Sequence, residues 1–278
     1  MNDLSPATRR AFLQALTAAS GLVSLRQASA QADAEKAHAQ AMELLKPGSE
    51  KIAILIYPSF TALDAIGPQH MLAGMTGASV KFIAATAEPV KTDSGYFITP
   101  QLTFDQCPEQ LDLLLIPGGT TGTIQAMEDK TVLDFVAQAA SRSKLIGSVC
   151  TGSLILGAAG LLKGKRATSH WQTLDLLKIA GATPVAERVV RDQNVITGAG
   201  VTAGIDLALH LVRQYRGDFY AQGVQLLAEY DPQPHFAKSG NAATAPKEVV
   251  DLLNHMHTGF MTKWGEKLGK VIEDRGGK

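Results

Sequence analysis

The stretch that best indicates the fold is residues 145–153, which read Leu145-Ile146-Gly147-Ser148-Val149-Cys150-Thr151-Gly152-Ser153. An apolar run typical of a buried strand stops at Cys150, and a segment rich in glycine, serine and alanine with helical spacing follows at once. A nucleophile at such a junction lies on a sharp strand-to-helix turn that exposes its side chain. The stretch therefore predicts an α/β protein with a functional thiol at Cys150. The alternative is a buried structural cysteine, the usual state of a lone cysteine.

Comparable apolar runs rich in branched residues recur along the chain, which favours strands buried on both faces of a sheet. Besides residues 144–149, these runs are Ile52 to Tyr57, Val80 to Ala85, Leu111 to Ile116 and the shorter Val195 to Thr197. Helical patterns lie between and after them, at Thr61 to Ala73, Thr131 to Ala140, Thr151 to Ala159, Gln172 to Ile179 and Thr202 to Gln214. Alternating strands and helices predict a doubly wound, mostly parallel sheet with helices on both faces.

Residues 1–30 have the features of a twin-arginine export signal. Arg9-Arg10 precede an apolar stretch at residues 15–25, and Ala28-Ser29-Ala30 follows as a small-residue cleavage signal. This order predicts removal of residues 1–30 and a periplasmic mature protein. The alternative is an amphipathic, partly disordered N-terminus with a chance arginine pair.

The rest of the chain divides into three predicted parts. Residues 31–50 are alanine-rich and charged, which predicts a leader or short helix before the domain. Residues 51–246 contain the alternating pattern and form the predicted α/β domain. Residues 247–278 contain spaced apolar side chains typical of an amphipathic helix, and the pattern leaves open whether that helix packs on its own domain or on a partner subunit.

The composition argues against two classes of main partner. The chain has 278 residues, a formal net charge of zero and 45% hydrophobic residues. Balanced charge argues against nucleic acid or an acidic membrane surface as the main partner. The sequence lacks an uninterrupted apolar run of about 18 residues, so we predict no membrane span and no stable membrane association once the signal is removed.

The two cysteines, Cys107 and Cys150, allow one disulfide in an oxidising compartment. Cys107 follows a loop-like stretch, whereas Cys150 lies at the strand–helix junction. We therefore predict two free thiols, with Cys107 structural and Cys150 reactive. The helix N-terminus after Cys150 is expected to lower the pKa of its thiol.

Two further motifs follow predicted strands. Pro117-Gly118-Gly119 comes after residues 111–116, and backbone N–H groups of such glycines can face a ligand at the carboxyl edge of a sheet. An ordinary tight turn is the alternative. Asp64 lies among apolar residues after the first strand, where it is either a helix cap or a proton-transferring group whose pKa is raised by burial beside Cys150.

His170 ends the stretch Ala167-Thr168-Ser169-His170-Trp171, which we interpret as a short strand. It either orients the site and shares a proton, or is a structural histidine. The remaining histidines show no metal-ligand spacing beyond His255-x-His257, which is a weak signal alone, so no metal site is predicted.

Together these motifs resemble the ThiJ/PfpI family of the glutamine-amidotransferase-like superfamily, over residues 51–246. The motifs that carry the resemblance are Leu63-Asp64-x-x-Gly67-Pro68, Pro117-Gly118-Gly119, Ser148-Val149-Cys150-Thr151-Gly152-Ser153, Leu156-Gly157-x-x-Gly160-Leu161-Leu162-x-Gly164, Arg166-Ala167-Thr168-x-His170-Trp171, Val201-Thr202-Ala203-Gly204-Ile205-Asp206 and Glu229-Tyr230-Asp231-Pro232-x-Pro234. The resemblance implies a flavodoxin-like sheet, a homodimer, a nucleophile at Cys150 and an acid at Asp64. Protease-like members have histidine after the cysteine. Thr151 stands there in this chain, so a Cys-His dyad is absent.

The combination of Asp64 with Thr151 is most similar to the isonitrile-hydratase subgroup. That resemblance implies a cysteine-dependent hydro-lyase that converts a small organic isonitrile into an N-substituted formamide, without metal or organic cofactor. Cys150, Asp64 and Thr151 are then catalytic, the backbone of Gly118, Gly119 and Thr151 stabilises negative charge, and His170 orients the site. Two alternatives stay open, namely another cysteine chemistry such as glyoxalase- or amidase-like activity, and a redox-responsive or stress-protective protein that uses Cys150 as a sensor.

Overall fold

The structure is a computed structural model that describes residues 27–42 and 46–276. The chain forms two compact units, residues 1–46 and residues 47–278. In the first unit, residues 27–42 are helical (α1) and mostly exposed. Ala28-Ser29-Ala30 lies within α1, whereas Arg9-Arg10 and the apolar stretch at 15–25 lie outside the described residues.

The described part of the second unit contains strands and α-helices in alternation. The strands are β1 (Lys51–Leu55), β2 (Ser79–Ala84), β3 (Val90–Lys91), β4 (Phe97–Ile98), β5 (Leu102–Thr103), β6 (Leu111–Ile116), β7 (Ser143–Val149), β8 (Arg166–Ala167), β9 (Thr183–Pro184), β10 (Val189–Asp192) and β11 (Val195–Gly198). The helices are α2 (Ala62–Ala73), α3 (Thr121–Glu128), α4 (Lys130–Ser141), α5 (Gly152–Ala158), α6 (Ala203–Arg216), α7 (Asp218–Leu227) and α8 (Lys247–Gly276).

Seven strands form the central sheet in the order β10-β11-β7-β6-β1-β2-β5. All neighbouring pairs are parallel except β10 with β11, which is antiparallel. Both faces of this sheet are covered, and every side chain of β6 from Leu113 to Ile116 is buried. Strands in such a sheet contain continuous runs of branched apolar residues, which is the pattern found in the sequence. The predicted parallel, doubly wound sheet is confirmed.

Several local predictions were wrong. The strand predicted at residues 167–171 is present only as β8, which ends at Ala167, and His170 instead caps a 3₁₀ helix at Trp171–Lys178. The helical pattern predicted at Gln172 to Ile179 is present as this 3₁₀ helix rather than as an α-helix. Helices α3 and α7 were not predicted, and neither were the short strands β3, β4, β5, β9 and β10.

The C-terminal helix α8 packs on its own domain. It contacts α3, α5 and the 3₁₀ helix, and it buries Trp264 and Leu268. Ion pairs join Lys267 to Glu128 at the end of α3 and Arg275 to Asp134 on α4. These contacts answer the question that the amphipathic pattern left open.

Within the described ranges, no helix is both long enough and apolar enough to cross a bilayer.

Candidate functional site

Cys150 lies directly after β7 in a strained backbone conformation. Its φ is +57°, a left-handed value that non-glycine residues seldom adopt. The Cys150 N–H donates to the carbonyls of Gly198 (3.1 Å) and Ala199 (2.7 Å), while the hydroxyls of Ser153 and Ser169 each donate to the Cys150 carbonyl at 3.2 Å. Hydrogen bonds on both sides of the residue therefore hold this predicted elbow in place.

The neighbouring glycines are required by close packing at the same turn. A Cβ on Gly152 would lie 2.2 Å from the Ile116 carbonyl oxygen, so a side chain there would force β6 and α5 apart. A Cβ on Gly118 would lie 2.6 Å from the Thr151 nitrogen and 2.9 Å from Asp64 Oδ2. These residues follow β6 and β7, which are adjacent and parallel, so they meet at one edge of the sheet.

Asp64 lies in the first turn of α2 and is 0% exposed. Its Oδ2 accepts a hydrogen bond of 2.8 Å from the Gly118 N–H, and its carboxyl group interacts with the Cys150 thiol. Burial raises the pKa of Asp64 to about 7, against the lowering effects of the Gly118 hydrogen bond and the Cys150 thiol. The structure thus brings Asp64 and Cys150 together, and the expected rise in the pKa of the carboxyl group is present.

The pKa of the Cys150 thiol is raised, which contradicts the expected lowering by the helix N-terminus. Burial is the largest cause, since Cys150 is 6% exposed, and the Asp64 charge adds to it. Backbone N–H groups of Thr151 and Val201 oppose the shift without overcoming it. Helix α5 begins at Gly152 and has seven residues, so its dipole competes with full burial and a neighbouring carboxylate. The resting nucleophile is therefore the neutral thiol.

Sequence reasoning missed Val201, which follows β11 at the same edge of the sheet. Val201 contributes its backbone N–H group, so the identity of its side chain gives no indication of that role. The stretch Gly198-Ala199-Gly200 was the available clue, because small residues after a buried parallel strand allow backbone to approach a ligand or side chain closely.

The Thr151 hydroxyl is fully occupied by hydrogen bonds within the protein. It accepts from the Gly119 N–H at 3.0 Å, donates to the Gly119 carbonyl at 2.9 Å and pairs with the Thr123 hydroxyl at 2.7 Å. The Gly118 N–H is likewise used by Asp64. The prediction that Gly118 and Gly119 offer their N–H groups to substrate therefore needs correction. These two groups fix Asp64 and Thr151, and the N–H groups that face the sulfur belong to Thr151 and Val201.

His170 lines the site beside Gly200. Its Nδ1 accepts a hydrogen bond of 3.4 Å from the Gln172 N–H. Burial and the nearby His257 lower the pKa of His170 to about 4. The imidazole is therefore neutral at physiological pH, and it cannot serve as a cationic partner for a Cys150 thiolate.

A cavity of about 150 Å³ opens onto these residues. It is lined by Thr61, Gly119, Thr120, Cys150, Thr151, His170, Gln172, Val201, His257 and Trp264. His257 and Trp264 come from α8 and were not predicted. They are seven positions apart, two turns of helix on one face, so the amphipathic pattern of α8 was the signal available for them.

Among the described residues, the structure shows no group of three or more His, Cys, Asp or Glu side chains arranged to hold a metal ion. Cys107 and Cys150 are both free and buried. The arrangement at the sheet edge is suited to nucleophilic chemistry, because a thiol that lines a small cavity lies next to a buried carboxyl group whose pKa is raised.

Two named proteins are similar to this chain in sequence. The isonitrile hydratase of Pseudomonas putida is 47% identical over 201 residues, which cover 72% of this chain and 87% of that protein. A deglycase of Thermococcus kodakarensis is 31% identical over 148 residues, covering 53% of this chain and 88% of that protein.

A solved structure and a family model also match this chain. The crystal structure of a ThiJ/PfpI family protein from Pseudomonas syringae matches with a TM-score of 0.78 and 47% identity, covering 80% of this chain and 92% of that one. The model of the DJ-1/PfpI family matches residues 50–214, which contain the Cys150 elbow, Asp64 and the Gly118-Gly119 turn. By its fold, its elbow and its relatives, this chain belongs to the DJ-1/PfpI family.

Proposed function

We propose that this protein hydrates a small organic isonitrile to the N-substituted formamide, with Cys150 as the nucleophile and Asp64 as the proton-transferring group. The observation that carries the proposal is the buried pair itself, a neutral thiol next to a carboxyl group whose pKa is about 7. A carboxyl group with that pKa both accepts and donates protons near neutral pH. The 47% identity to a protein named isonitrile hydratase supports the hydratase-like role.

In the first step Asp64 removes the thiol proton while the Cys150 sulfur attacks the terminal carbon of the isonitrile. A C–S bond forms, and the proton passes from Asp64 to the same carbon, which gives a thioimidate, R–N=CH–S–Cys. Negative charge develops on the sulfur during this transfer. The N–H groups of Thr151 and Val201 stabilise that charge, because they already face the sulfur in the resting structure.

In the second step water adds to the thioimidate carbon. Asp64 accepts a proton from the water and delivers a proton to the nitrogen, which leaves the tetrahedral adduct R–NH–CH(OH)–S–Cys. The C–S bond then breaks, the adduct hydroxyl loses its proton through Asp64 to the departing sulfur, and R–NH–CHO is released. The overall change is the addition of one water molecule to the isonitrile, and both enzyme groups return to their starting protonation states.

Thr151 has a positioning role in this scheme. Its hydroxyl is engaged with Gly119 and Thr123, so it holds the turn after β6 against the elbow, and its backbone N–H contributes to the sulfur environment. His170 is neutral and lines the cavity wall, where it can orient the substrate.

The test is formamide formation from a simple isonitrile by purified protein and by the variants Cys150→Ala, Asp64→Asn and the double variant. Each single change should abolish turnover, and the double change should cost little more than either, because the two groups act as one unit. Asp93→Asn is the matched control, since Asp93 influences Asp64 through its charge and hydrogen bonds to Thr61. That variant should keep most of the activity, and His170→Ala should be milder than the loss of Asp64. Full turnover by correctly folded Asp64→Asn would remove the carboxyl group from the mechanism.

The geometry gives less support to a redox sensor. Sensor cysteines are accessible and have a lowered pKa, whereas Cys150 is buried and its pKa is raised. Other cysteine chemistry on this site, such as the glyoxalase- or amidase-like activity expected as an alternative, has the support of the 31% identical protein named a deglycase. Incubation with isonitrile and with small dicarbonyl compounds under the same conditions separates these two candidates.

We further propose that the protein works as a homodimer. Leu63 and Ile66 flank Asp64 on α2 and are each 42% exposed, and Leu226 and Leu227 on α7 are more exposed still. Burial of such apolar side chains against a second copy of the chain would remove them from water. For the N-terminal segment we propose export by the twin-arginine route, on the strength of Arg9-Arg10 and the residues that follow.

A further inference from the structure

We propose that Trp264 and His257 of helix α8 form a roof over Cys150 that limits the enzyme to isonitriles with a compact N-substituent, about the size of benzene or smaller. This inference rests on the proposed function, since it names the substrate class for that same site. Four observations carry it: the attachment of α8, the volume beneath it, the direction in which a bound isonitrile extends, and the unpaired polar atoms of the roof.

Contacts hold helix α8 in place both before His257 and after Trp264. Before His257, the Gln172 side-chain amide donates to the Leu253 carbonyl (3.1 Å) and to Asn254 Oδ1 (3.4 Å). After Trp264, Lys267 is paired with Glu128, and Leu268 is fully buried. A helix held at both ends of this span cannot yield to a large substrate without breaking several contacts.

The space beneath the roof is small. A cavity of about 150 Å³ is the size that accommodates a molecule such as benzene. Trp264 is buried, with 5% of its surface exposed, so its indole forms a fixed wall of this cavity. Replacement of the indole by a smaller side chain would enlarge the space in which the substituent lies.

The linear geometry of an isonitrile directs its substituent away from the sulfur. The carbon, the nitrogen and the first atom of the substituent lie on one line, and the carbon must approach Cys150. The substituent then lies among the lining residues that do not contact the sulfur, and these include His170 and Gln172 as well as His257 and Trp264 of α8. Thr151 and Val201 lie against the sulfur, whereas His257 and Trp264 line the cavity from α8.

Two polar atoms of the roof favour a ligand-binding role. His257 Nδ1 and Trp264 Nε1 are buried, and neither has a hydrogen-bond partner among the residues that the structure describes. Buried polar atoms of residues that serve packing alone are usually paired. The unpaired atoms here are explained if these side chains are placed for contact with substrate or with ordered water in the cavity.

The experiment measures kcat/KM for a series of n-alkyl isonitriles, from methyl to octyl, with the wild type and with Trp264→Phe and Trp264→Ala. We expect the wild-type value to fall at least tenfold once the substituent exceeds about six non-hydrogen atoms. Trp264→Phe should move this limit slightly and Trp264→Ala by several carbons. Identical chain-length profiles for the wild type and Trp264→Ala would overturn the inference.

Leu268→Ala is the matched control, because Leu268 anchors α8 but does not line the cavity. If the Trp264 indole itself limits the space for the substituent, Leu268→Ala keeps the wild-type chain-length limit. If Leu268→Ala shifts the limit as far as Trp264→Ala, loosening of α8 explains both and the role of Trp264 as a wall is refuted. Circular dichroism establishes that each variant is folded, and Trp264→Phe provides a milder change should Trp264→Ala fail to fold.

A second measurement separates this inference from the proposed function. Cys150 is alkylated with a graded series of N-alkyl iodoacetamides at pH 9, and the rate is followed by peptide mass spectrometry, which separates Cys150 from the other free thiol, Cys107. If no isonitrile is hydrated but the alkylation rate still shows a size limit that Trp264→Ala relaxes, the roof stands and the hydratase proposal fails. If isonitriles are hydrated without any dependence on size, the roof inference fails and the hydratase proposal stands.

Discussion

Asp64→Asn should make the protein more stable, and increasingly so as the pH rises. The wild-type carboxyl group is fully buried, and its pKa is raised from the ordinary 3.8 to about 7 because burial disfavours the charged form. Asparagine has nearly the same shape, and its Oδ1 can accept the Gly118 hydrogen bond that Oδ2 of Asp64 accepts now. The substitution therefore removes a buried charge while keeping the contact that positions the residue.

The sign and size of the effect follow from linkage between protonation and folding. An acid whose pKa is higher in the folded state favours folding fully below its unfolded pKa, and this contribution is lost as the pH rises through the folded pKa. For Asp64 the loss runs from about pH 4 to about pH 7 at about 1.4 kcal/mol per pH unit, which amounts to about 4 kcal/mol in total. Between pH 5.5 and pH 8.5 the wild type should lose about 2 kcal/mol relative to the variant.

The assay is urea-induced unfolding of the wild type and of Asp64→Asn at several values between pH 5.5 and pH 8.5. At each pH, the unfolding free energy of the wild type is subtracted from that of the variant. Comparison of this value at pH 8.5 with its value at pH 5.5 cancels effects that do not depend on pH, such as the packing of the amide. The Cys150 thiol stays neutral across this range because its own pKa is raised. A difference that is constant with pH, or that favours the wild type at high pH, would show that Asp64 is not a desolvated carboxylate and would undermine its proton-transfer role.

Three other predictions follow from the site and the surfaces. Alkylation of Cys150 by iodoacetamide should be slow at pH 7 and faster in Asp64→Asn, because the carboxylate charge that raises the thiol pKa is absent; equal rates by mass spectrometry would contradict this coupling. Light scattering at micromolar concentration should give the mass of a dimer, and Leu226→Glu should shift it towards the monomer; a monomeric wild type is the opposing result. Replacement of Arg9 and Arg10 by lysine should leave uncleaved precursor in the cytoplasm, and undiminished export in fractionated cells would count against the twin-arginine route.

The sheet and the elbow were predictable because they depend on patterns that are local in the chain. Buried parallel strands require continuous branched apolar residues, and a nucleophile elbow requires small residues around Cys150. Asp64 was also recognisable, since a carboxyl group among apolar residues is costly unless it has a function. The carboxyl ends of parallel strands share one edge, which favoured a shared site for Gly118 and Cys150, whereas the placement of Asp64 beside Cys150 rested on the family resemblance.

The remaining features depend on packing that no local pattern contains. The helix after Cys150 predicted a lowered thiol pKa, whereas the pKa is set by burial and by a carboxylate 86 positions earlier in the chain. The Val201 N–H has no side-chain signature. The amphipathic pattern of α8 showed that one face is buried, but the surface that it covers is decided by Gln172, Glu128 and Asp134, which lie far away in sequence.

The cavity at Cys150 is complete only after α8 has docked on the domain. Asp64 is near the start of the domain and Trp264 is near its end, so a nascent chain contains the thiol and the carboxyl group before the roof has been synthesised. Until α8 docks, the cavity at Cys150 lacks the part of its lining that His257 and Trp264 supply. Proteolytic removal of the last helix would recreate the same open state in a mature molecule. Under the size limit proposed above, loss of the C-terminal segment would therefore open the nucleophile to larger electrophiles as well as to larger substrates.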